Sequence, residues 1–191
     1  TDAGATDLGA STVSGTLGIT SAGAVTDSGT LAITGATTIS ASGQDITLDQ
    51  AASTFGTLAL TGANIAVTDA GATDLGASTV SGTLGITSAG AVTDSGTLAI
   101  TGATTISASG QDITLDESAS TFGTLALTGE NVAVTENAAT DLGASTVGGT
   151  LGITSAGAVT DSGTLAITGA TTISASGQDI TLDETASTFG T

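Results

Sequence analysis

The sequence predicts an all-β protein, a parallel β-helix (β-solenoid) in which short strands stack coil upon coil along one axis. Three observations indicate this fold: a 67-residue period, short segments of alternating apolar and polar residues, and corners of two or three small residues. Residues 1–49 recur unchanged at 68–116. We therefore interpret the chain as one continuous solenoid of repeats 1–67 and 68–134 and a partial repeat 135–191, and as a fragment of a longer repetitive chain.

The apolar volume of this composition comes almost wholly from Leu, Ile, Val and Ala. There is no Trp, Tyr, Met, Pro or Cys, and only three Phe occur. Such side chains build thin layers and not the deep core of a globular domain of this length. The 39% hydrophobic content and the even spread of Val, Ile and Thr favour a folded β protein over a disordered low-complexity chain.

Nine segments of each period have the alternation of β-strands. Over the 67 residues from 16 to 82 they are TLGIT (16–20), GAVTD (23–27), TLAIT (30–34), TTISA (37–41), DITLD (45–49), TLALT (57–61), NIAVT (64–68), TDLGA (73–77) and STVSG (78–82). Most have apolar residues two apart, so one face of the strand is apolar and the other carries Thr and Asp. Within 30–49 we expect the inward side chains to be Leu31, Ile33, Ile39, Ile46 and Leu48, and the outward ones Thr30, Thr34, Asp45, Thr47 and Asp49.

These nine strands divide into three coils of three short strands, with about 22 residues per coil. In this arrangement TLGIT stacks with TTISA and NIAVT, GAVTD with DITLD and TDLGA, and TLAIT with TLALT and STVSG. The corners, such as SAG, DSG and ASG, contain Gly because tight turns use positive φ. A second interpretation comes from the recurrence of GTL at 15, 29 and 56, which suits a flatter, two-sided solenoid of about 13 residues per coil. We favour the three-sided form.

The net charge of −18, without a single Lys, Arg or His, excludes several classes of function. A surface without cations cannot neutralise phosphates, so we expect no nucleic-acid partner. No apolar run approaches the ~20 residues of a membrane helix, and we expect no membrane insertion. The absence of Cys fits a secreted protein that does not depend on disulfides.

The composition offers no catalytic constellation, and we predict that the chain is not an enzyme and has no catalytic, cofactor-binding or specific metal-binding residues. The outward carboxylates Asp45 and Asp49 lie about 13 Å apart along an extended strand, which is too far for glycoside hydrolysis. Calcium is the one metal with a candidate arrangement, because stacking brings carboxylates of neighbouring coils together. The residues concerned are Asp27, Asp49, Asp94, Asp116, Asp161 and Asp183. The calcium motifs D-x-D-x-D-G and GGxGxD are absent from the sequence.

Outward threonines are the other regular feature of the sequence. Several strands carry them four residues apart: Thr16 and Thr20, Thr30 and Thr34, and Thr57 and Thr61. Strand propensity and a wettable surface account for this pattern. The alternative is an ordered hydroxyl array that binds ice or a glycan.

The units GTLAITGATTISASGQDITLD and GTLALTGANIAVTDAGATDLGASTVSG resemble the strand repeats of filamentous-haemagglutinin-like exoproteins of two-partner secretion, and of related autotransporter passengers and giant repetitive adhesins. The resemblance lies in repeat style and composition and covers the whole chain. It implies a right-handed parallel β-helix that is exported to the bacterial cell surface or beyond. It also implies a shaft that carries adhesive domains, so that contacts with glycans or a host surface are made by other parts of the protein.

We therefore expect a structural extracellular rod, either a shaft segment of a giant secreted surface adhesin or the repeating unit of a filament or sheath. Each coil hydrogen-bonds to the next, so such a rod extends by end-to-end self-association or by continuation into neighbouring repeats. The many carboxylates would oppose lateral clumping at low ionic strength. The alternative function is a binding module that uses a Thr-rich face for ice or glycan.

Overall fold

The computed structural model describes all 191 residues as one parallel β-solenoid, which confirms the predicted fold class. The first nine strands are β1 (Thr6–Leu8), β2 (Ser11–Val13), β3 (Leu17–Thr20), β4 (Val25–Asp27), β5 (Leu31–Ile33), β6 (Thr37–Ser40), β7 (Ile46–Leu48), β8 (Thr57–Gly62) and β9 (Ile65–Asp69). The next nine are β10 (Thr73–Leu75), β11 (Ser78–Val80), β12 (Leu84–Ser88), β13 (Val92–Asp94), β14 (Leu98–Ile100), β15 (Thr104–Ser107), β16 (Ile113–Leu115), β17 (Thr124–Gly129) and β18 (Val132–Glu136). The remainder are β19 (Thr140–Leu142), β20 (Ser145–Val147), β21 (Leu151–Ser155), β22 (Val159–Asp161), β23 (Leu165–Ile167), β24 (Thr171–Ala175) and β25 (Ile180–Thr181).

Two long sheets and a discontinuous third wall enclose the core. Sheet I runs β1-β4-β7-β9-β12-β15-β17-β19-β22-β25. Sheet II runs β3-β6-β8-β10-β13-β16-β18-β21-β24. The third wall consists of short patches, namely β2 and β5 with Thr54, β11 and β14 with Thr121, and β20 and β23 with Thr188. The predicted three-sided cross-section is thus present, with one side shorter than the others.

The coil is about 20 residues long, slightly shorter than the predicted 22, and the alternative of 13 residues is wrong. Paired residues are separated by as few as 17 positions, as between Thr57 and Asp74. The largest separation is 22 positions, between Ala32 and Thr54. The coil therefore changes length along the chain, and the corners absorb the difference.

The 67-residue period does not hold a whole number of coils. Thr6 lies in sheet I, its counterpart Thr73 lies in sheet II, and Thr140 returns to sheet I. Seven successive pairings within sheet I lead from Thr6 through Val25, Ile46, Ile65, Leu84, Thr104 and Leu125 to Leu142. One period therefore takes up about three and a half coils, where the sequence predicted three, and each repeat is turned by half a revolution relative to the one before.

The predicted stacking is correct for two of the three pairs of the first step and wrong for the third, because TLAIT (β5) bridges to Thr54 and does not pair with TLALT (β8). Of the later predicted pairs, only that of TLALT with STVSG (β8 with β11) is present. β3 pairs with β6 and β4 pairs with β7, as predicted. β6 then pairs with β8 and not with β9, while β7 pairs with β9 and not with β10. The difference arises at residues 50–56, where the alternation predicts no strand. Thr54 there bridges to Ala32, and the Ser53 hydroxyl accepts the amide N–H of Leu31 at 3.0 Å, so this segment is a wall of its coil.

The core is a set of inward apolar columns, in which each Leu, Ile or Val lies on another in the next coil. All five side chains predicted to face inward within 30–49 are buried, and the five predicted to face outward are exposed or partly exposed. Phe55 and Phe122 are buried as well. In the last coil their counterpart Phe189 is 44% exposed and Ile180 is 48% exposed, because no further coil covers them. Burial thus depends on the neighbouring coil and not on the strand itself.

Some corners stack backbone directly on backbone and require glycine for that reason. A Cβ on Gly102 would lie 2.5 Å from the carbonyl oxygen of Gly82 in the preceding coil. A Cβ on Gly85, within β12, would come no closer than 3.8 Å to any atom, the nearest being the Ile65 carbonyl oxygen. The two glycines therefore differ in what a methyl group would meet.

We predict that Gly102→Ala lowers the free energy of unfolding by about 1–3 kcal/mol, because the corner must shift to admit the methyl group. The matched variant Gly85→Ala is expected to be neutral or slightly stabilising, because strand interiors gain from the replacement of glycine. Denaturant unfolding of both variants measures the difference. Equal losses in the two variants would contradict the assignment of Gly102 to a close backbone contact.

Candidate functional site

The solenoid has no pocket, and its polar groups are arranged in columns along the axis. No three acidic side chains are grouped in a way that would hold a metal ion. The chain has no helix with the length and apolar character needed to cross a membrane. The regular polar features are outward hydroxyl ladders and three kinds of acidic corner.

A hydroxyl ladder runs along the outside of each long sheet. On sheet I its members are consecutive partners in register, Thr68, Thr87, Ser107 and Thr128, and the file continues to Thr146 on β20 of the third wall. On sheet II the equivalent members, one period earlier, are Thr20, Ser40 and Thr61, followed by Thr79 on β11 of the third wall. Strands in register are ~4.8 Å apart, so each ladder is a single file of hydroxyls at that spacing. The half-revolution between repeats places the two ladders on opposite faces of the solenoid.

The predicted threonine pairs lie four residues apart along single strands, whereas the ladders run from one coil to the next. Of the six threonines singled out, the structure brings only Thr20 and Thr61 into one ladder. Thr57 is tied elsewhere, because its hydroxyl donates to Asp74 Oδ2 at 2.8 Å. Beside the sheet I ladder runs a second column of small, uncharged residues: Ala66, Gly85, Thr105 and Ala126. The surface on this side of the sheet I ladder is therefore uncharged and made of small side chains, while the exposed Glu130 lies two residues after Thr128.

The first kind of acidic corner is buried and fully hydrogen-bonded. Asp69 Oδ1 accepts the amide N–H of Gly71 at 2.8 Å, and its Oδ2 accepts the Thr73 hydroxyl at 3.2 Å. In the next repeat the longer Glu136 accepts the amide N–H of Phe122 and the Thr140 hydroxyl, both at 2.8 Å. Burial raises the pKa of both carboxyls, although these hydrogen bonds act in the opposite direction.

The second kind of acidic corner is also buried but only half satisfied. Asp94 pairs with Leu75 in the preceding coil and has one oxygen, Oδ1, that accepts the amide N–H of Asp116 at 2.8 Å. Its other oxygen, Oδ2, is buried without a hydrogen-bond partner. The same arrangement occurs at Asp27 and Asp161, which accept the amides of the residues one coil on, Asp49 and Asp183.

This corner corrects the predicted position of the calcium candidates. Asp27 and Asp49 do lie next to each other in neighbouring coils, but Asp27 is buried and binds the backbone of Asp49. The carboxylate therefore faces the core and does not join an outward acidic cluster. Burial raises the pKa of Asp27 and of Asp94, and the nearby Asp49 and Asp116 carboxylates act in the same direction. Inward carboxylates were missed because an Asp at the end of an alternating strand is expected to face solvent.

The third kind of corner is exposed and links three coils. Asp45 Oδ1 accepts both the backbone and the side-chain amide of Asn64, each at 3.0 Å. Asn64 Oδ1 in turn accepts the amide N–H of Thr83 at 3.1 Å. Asp112, Asn131 and Thr150 repeat this arrangement one period later. Each of these polar side chains therefore bonds to the next coil, which makes the corner a structural brace.

One inward hydroxyl per repeat has no hydrogen-bond partner. Thr104 lies in the inward column of sheet I between Leu84 and Leu125, and its Oγ1 is buried and unpaired. Thr37 and Thr171 are in the same situation. The neighbouring Thr105 is exposed on the outer face of the same strand. A buried hydroxyl without a partner costs free energy that an apolar group of the same shape does not.

We predict that Thr104→Val raises the free energy of unfolding by about 1 kcal/mol, because it replaces the unpaired hydroxyl with a methyl group. Thr105→Val, the matched outward control, is expected to change it by less than about 0.5 kcal/mol. Denaturant unfolding at one fixed pH compares the two. Destabilisation by Thr104→Val would show that the Thr104 hydroxyl has a partner in solution.

Three consecutive segments, 1–61, 62–128 and 129–191, match the model of one protein family, which is described as repeats of unknown function (DUF5649). Together these matches span the chain from its first residue to its last. Neither the curated proteins nor the solved structures include a match to the chain.

Proposed function

The chain belongs to this family of repeats, and we propose that it serves as a structural rod outside the cell, either as the shaft of a giant surface adhesin or as the unit of a filament or sheath. The observation that supports this function is the unbroken coil-to-coil pairing of sheets I and II. Such pairing continues for as many coils as the sequence supplies, so length is the property that repetition increases.

The distribution of polar groups favours the same function. The bracing corners, such as Asp45 with Asn64 and Asp94 with Asp116, tie one coil to the next and leave no recess for a ligand. The large apolar side chains are used up in the core, apart from Ile180 and Phe189 in the last coil. Nearly all ordered polar side chains of the repeat therefore serve to hold the stack of coils together.

We predict that the protein is a rigid rod whose length grows in proportion to the number of repeats. At ~4.8 Å per coil, the about nine coils of this chain give roughly 45 Å, and a chain with twice as many repeats gives roughly 90 Å at unchanged diameter. Small-angle scattering and negative-stain images of the two chains measure this. A particle that widens as well as lengthens when repeats are added would contradict the rod. Labelling of intact cells with an antibody against the repeat tests the proposed location outside the cell.

A second candidate function, a binding module for ice or a neutral glycan, is favoured by the in-register hydroxyl ladders. The column beside the sheet I ladder, which consists of Ala66, Gly85, Thr105 and Ala126, is uncharged although the chain carries 18 carboxylates, so a neutral ligand would meet no charge on that side. The column that contains Asp74 and Thr93 lies outside this ladder and provides a control.

If the ladder binds, we expect the double variant Thr87→Val/Thr128→Val to lose ice-recrystallisation inhibition or a glycan-array signal that the unchanged chain shows. Hydroxyls on neighbouring strands act together, so the loss should be large. Thr93→Val, at an exposed hydroxyl outside the ladder, should leave the signal intact. Silence of the unchanged chain in both assays would eliminate the binding module.

A further inference from the structure

The half-satisfied acidic corner adds a property that a rod does not require. Asp94 lies at the end of β13, where the assigned pairing with β16 stops at Thr93 and Thr114. Its Oδ1 takes over as the acceptor for the amide N–H of Asp116, which lies just beyond the end of β16. Its Oδ2 is left in the interior with no partner. The protonated side chain still accepts the Asp116 amide N–H through Oδ1 and places no net charge in this corner, whereas the ionised one leaves an incompletely solvated charge.

We propose that Asp27 and Asp94 are proton-responsive braces, which tighten the solenoid when they are protonated and loosen it when they ionise. The two sites occupy the same place in successive repeats, so the response is distributed along the rod. This inference is independent of where the rod is located and of what it carries.

No cation is available to neutralise the ionised form of Asp94. The preceding strand, β10, carries only Asp74, which faces outward. The segment around β16 in the next coil contributes Asp112, Asp116 and Glu117. Strands β12 and β15 of the opposite sheet have no titratable side chain, and the chain contains no Lys, Arg or His. Every charged neighbour therefore opposes ionisation of Asp94.

The direction of the pH dependence follows from these surroundings. Burial first, and then the Asp116 and Glu117 carboxylates, raise the pKa of Asp94 in the folded chain above its unfolded value. The folded state then binds more protons than the unfolded state between the two pKa values. The contribution of Asp94 to stability is complete below the unfolded pKa and is lost as pH rises through the folded pKa. The solenoid should thus be tighter in mild acid than at neutral pH.

Thermal unfolding from about pH 5 to about pH 8 tests the proposal at constant ionic strength. We expect the midpoint of the unchanged chain to fall by several degrees as pH rises. Asp94→Asn keeps an oxygen for the Asp116 amide but cannot ionise, so its midpoint should fall less. Glu130→Gln removes one exposed charge, and its midpoint should fall as much as that of the unchanged chain. Asp27, Asp69 and Glu136 also have raised pKa values and account for the pH dependence of the midpoint that remains in Asp94→Asn.

Two further measurements keep the proposal testable if Asp94→Asn folds poorly. Asp27→Asn alters the same corner in the first repeat and should reduce the slope in the same way. Amide exchange at Asp116 in the unchanged chain, corrected for the intrinsic effect of pH, should be severalfold slower in mild acid. Slopes for Asp94→Asn and Asp27→Asn equal to that of Glu130→Gln, or exchange at Asp116 that does not slow in acid, would overturn the proposal.

Discussion

Parallel backbone pairing between successive coils is the interaction on which the rest of the structure depends. A single coil of about 20 residues has no core of its own, and its strands gain hydrogen bonds and burial only from the coils on either side. Every residue therefore has a neighbour ~4.8 Å away along the axis that occupies the same position in the cross-section. The residue at each position therefore determines which groups contact each other between neighbouring coils. Apolar columns such as Val25, Ile46 and Ile65 and glycine corners such as Gly82 with Gly102 both follow from this constraint.

The polar residues of the interior act where that pairing is interrupted. Coil length varies along the chain, so some backbone amides meet no carbonyl in the neighbouring coil. Hydroxyls fill several of these gaps: Ser53 accepts the amide N–H of Leu31, and Ser78 accepts that of Leu60, each at 3.0 Å. Carboxyls fill others, as Asp94 does for Asp116. An amide buried without an acceptor would cost about 1–3 kcal/mol, which explains why so apolar a core keeps polar side chains.

The sequence predicted correctly the features that depend on a single strand. The predictions were wrong for features that depend on contacts with the neighbouring coil. Alternation identified the inward and outward side chains of residues 30–49 correctly, because the period of two is a property of a single strand. The wall at residues 50–56 lacks that alternation and is not predicted by it, so most of the later strands stack differently from the expected arrangement. Asp94 was placed outside because nothing in its own strand indicates the missing partner of Asp116. Likewise, the hydroxyl ladders exist only in the register between coils, so spacing along one strand did not reveal them.

The half-revolution between repeats has a geometric consequence for the whole rod. A difference in the axial spacing of the strands between the two long walls would bend the axis, but the next repeat exchanges the walls and reverses the bend. Curvature from this source therefore cancels over each pair of repeats. The orientation of the distal end about the axis depends on whether the number of repeats is odd or even. One added repeat rotates the segment that follows by about 180°, and two added repeats restore its orientation. Gain or loss of one repeat therefore changes the length of the rod by one small step. It also turns the segment that follows to the opposite side of the rod.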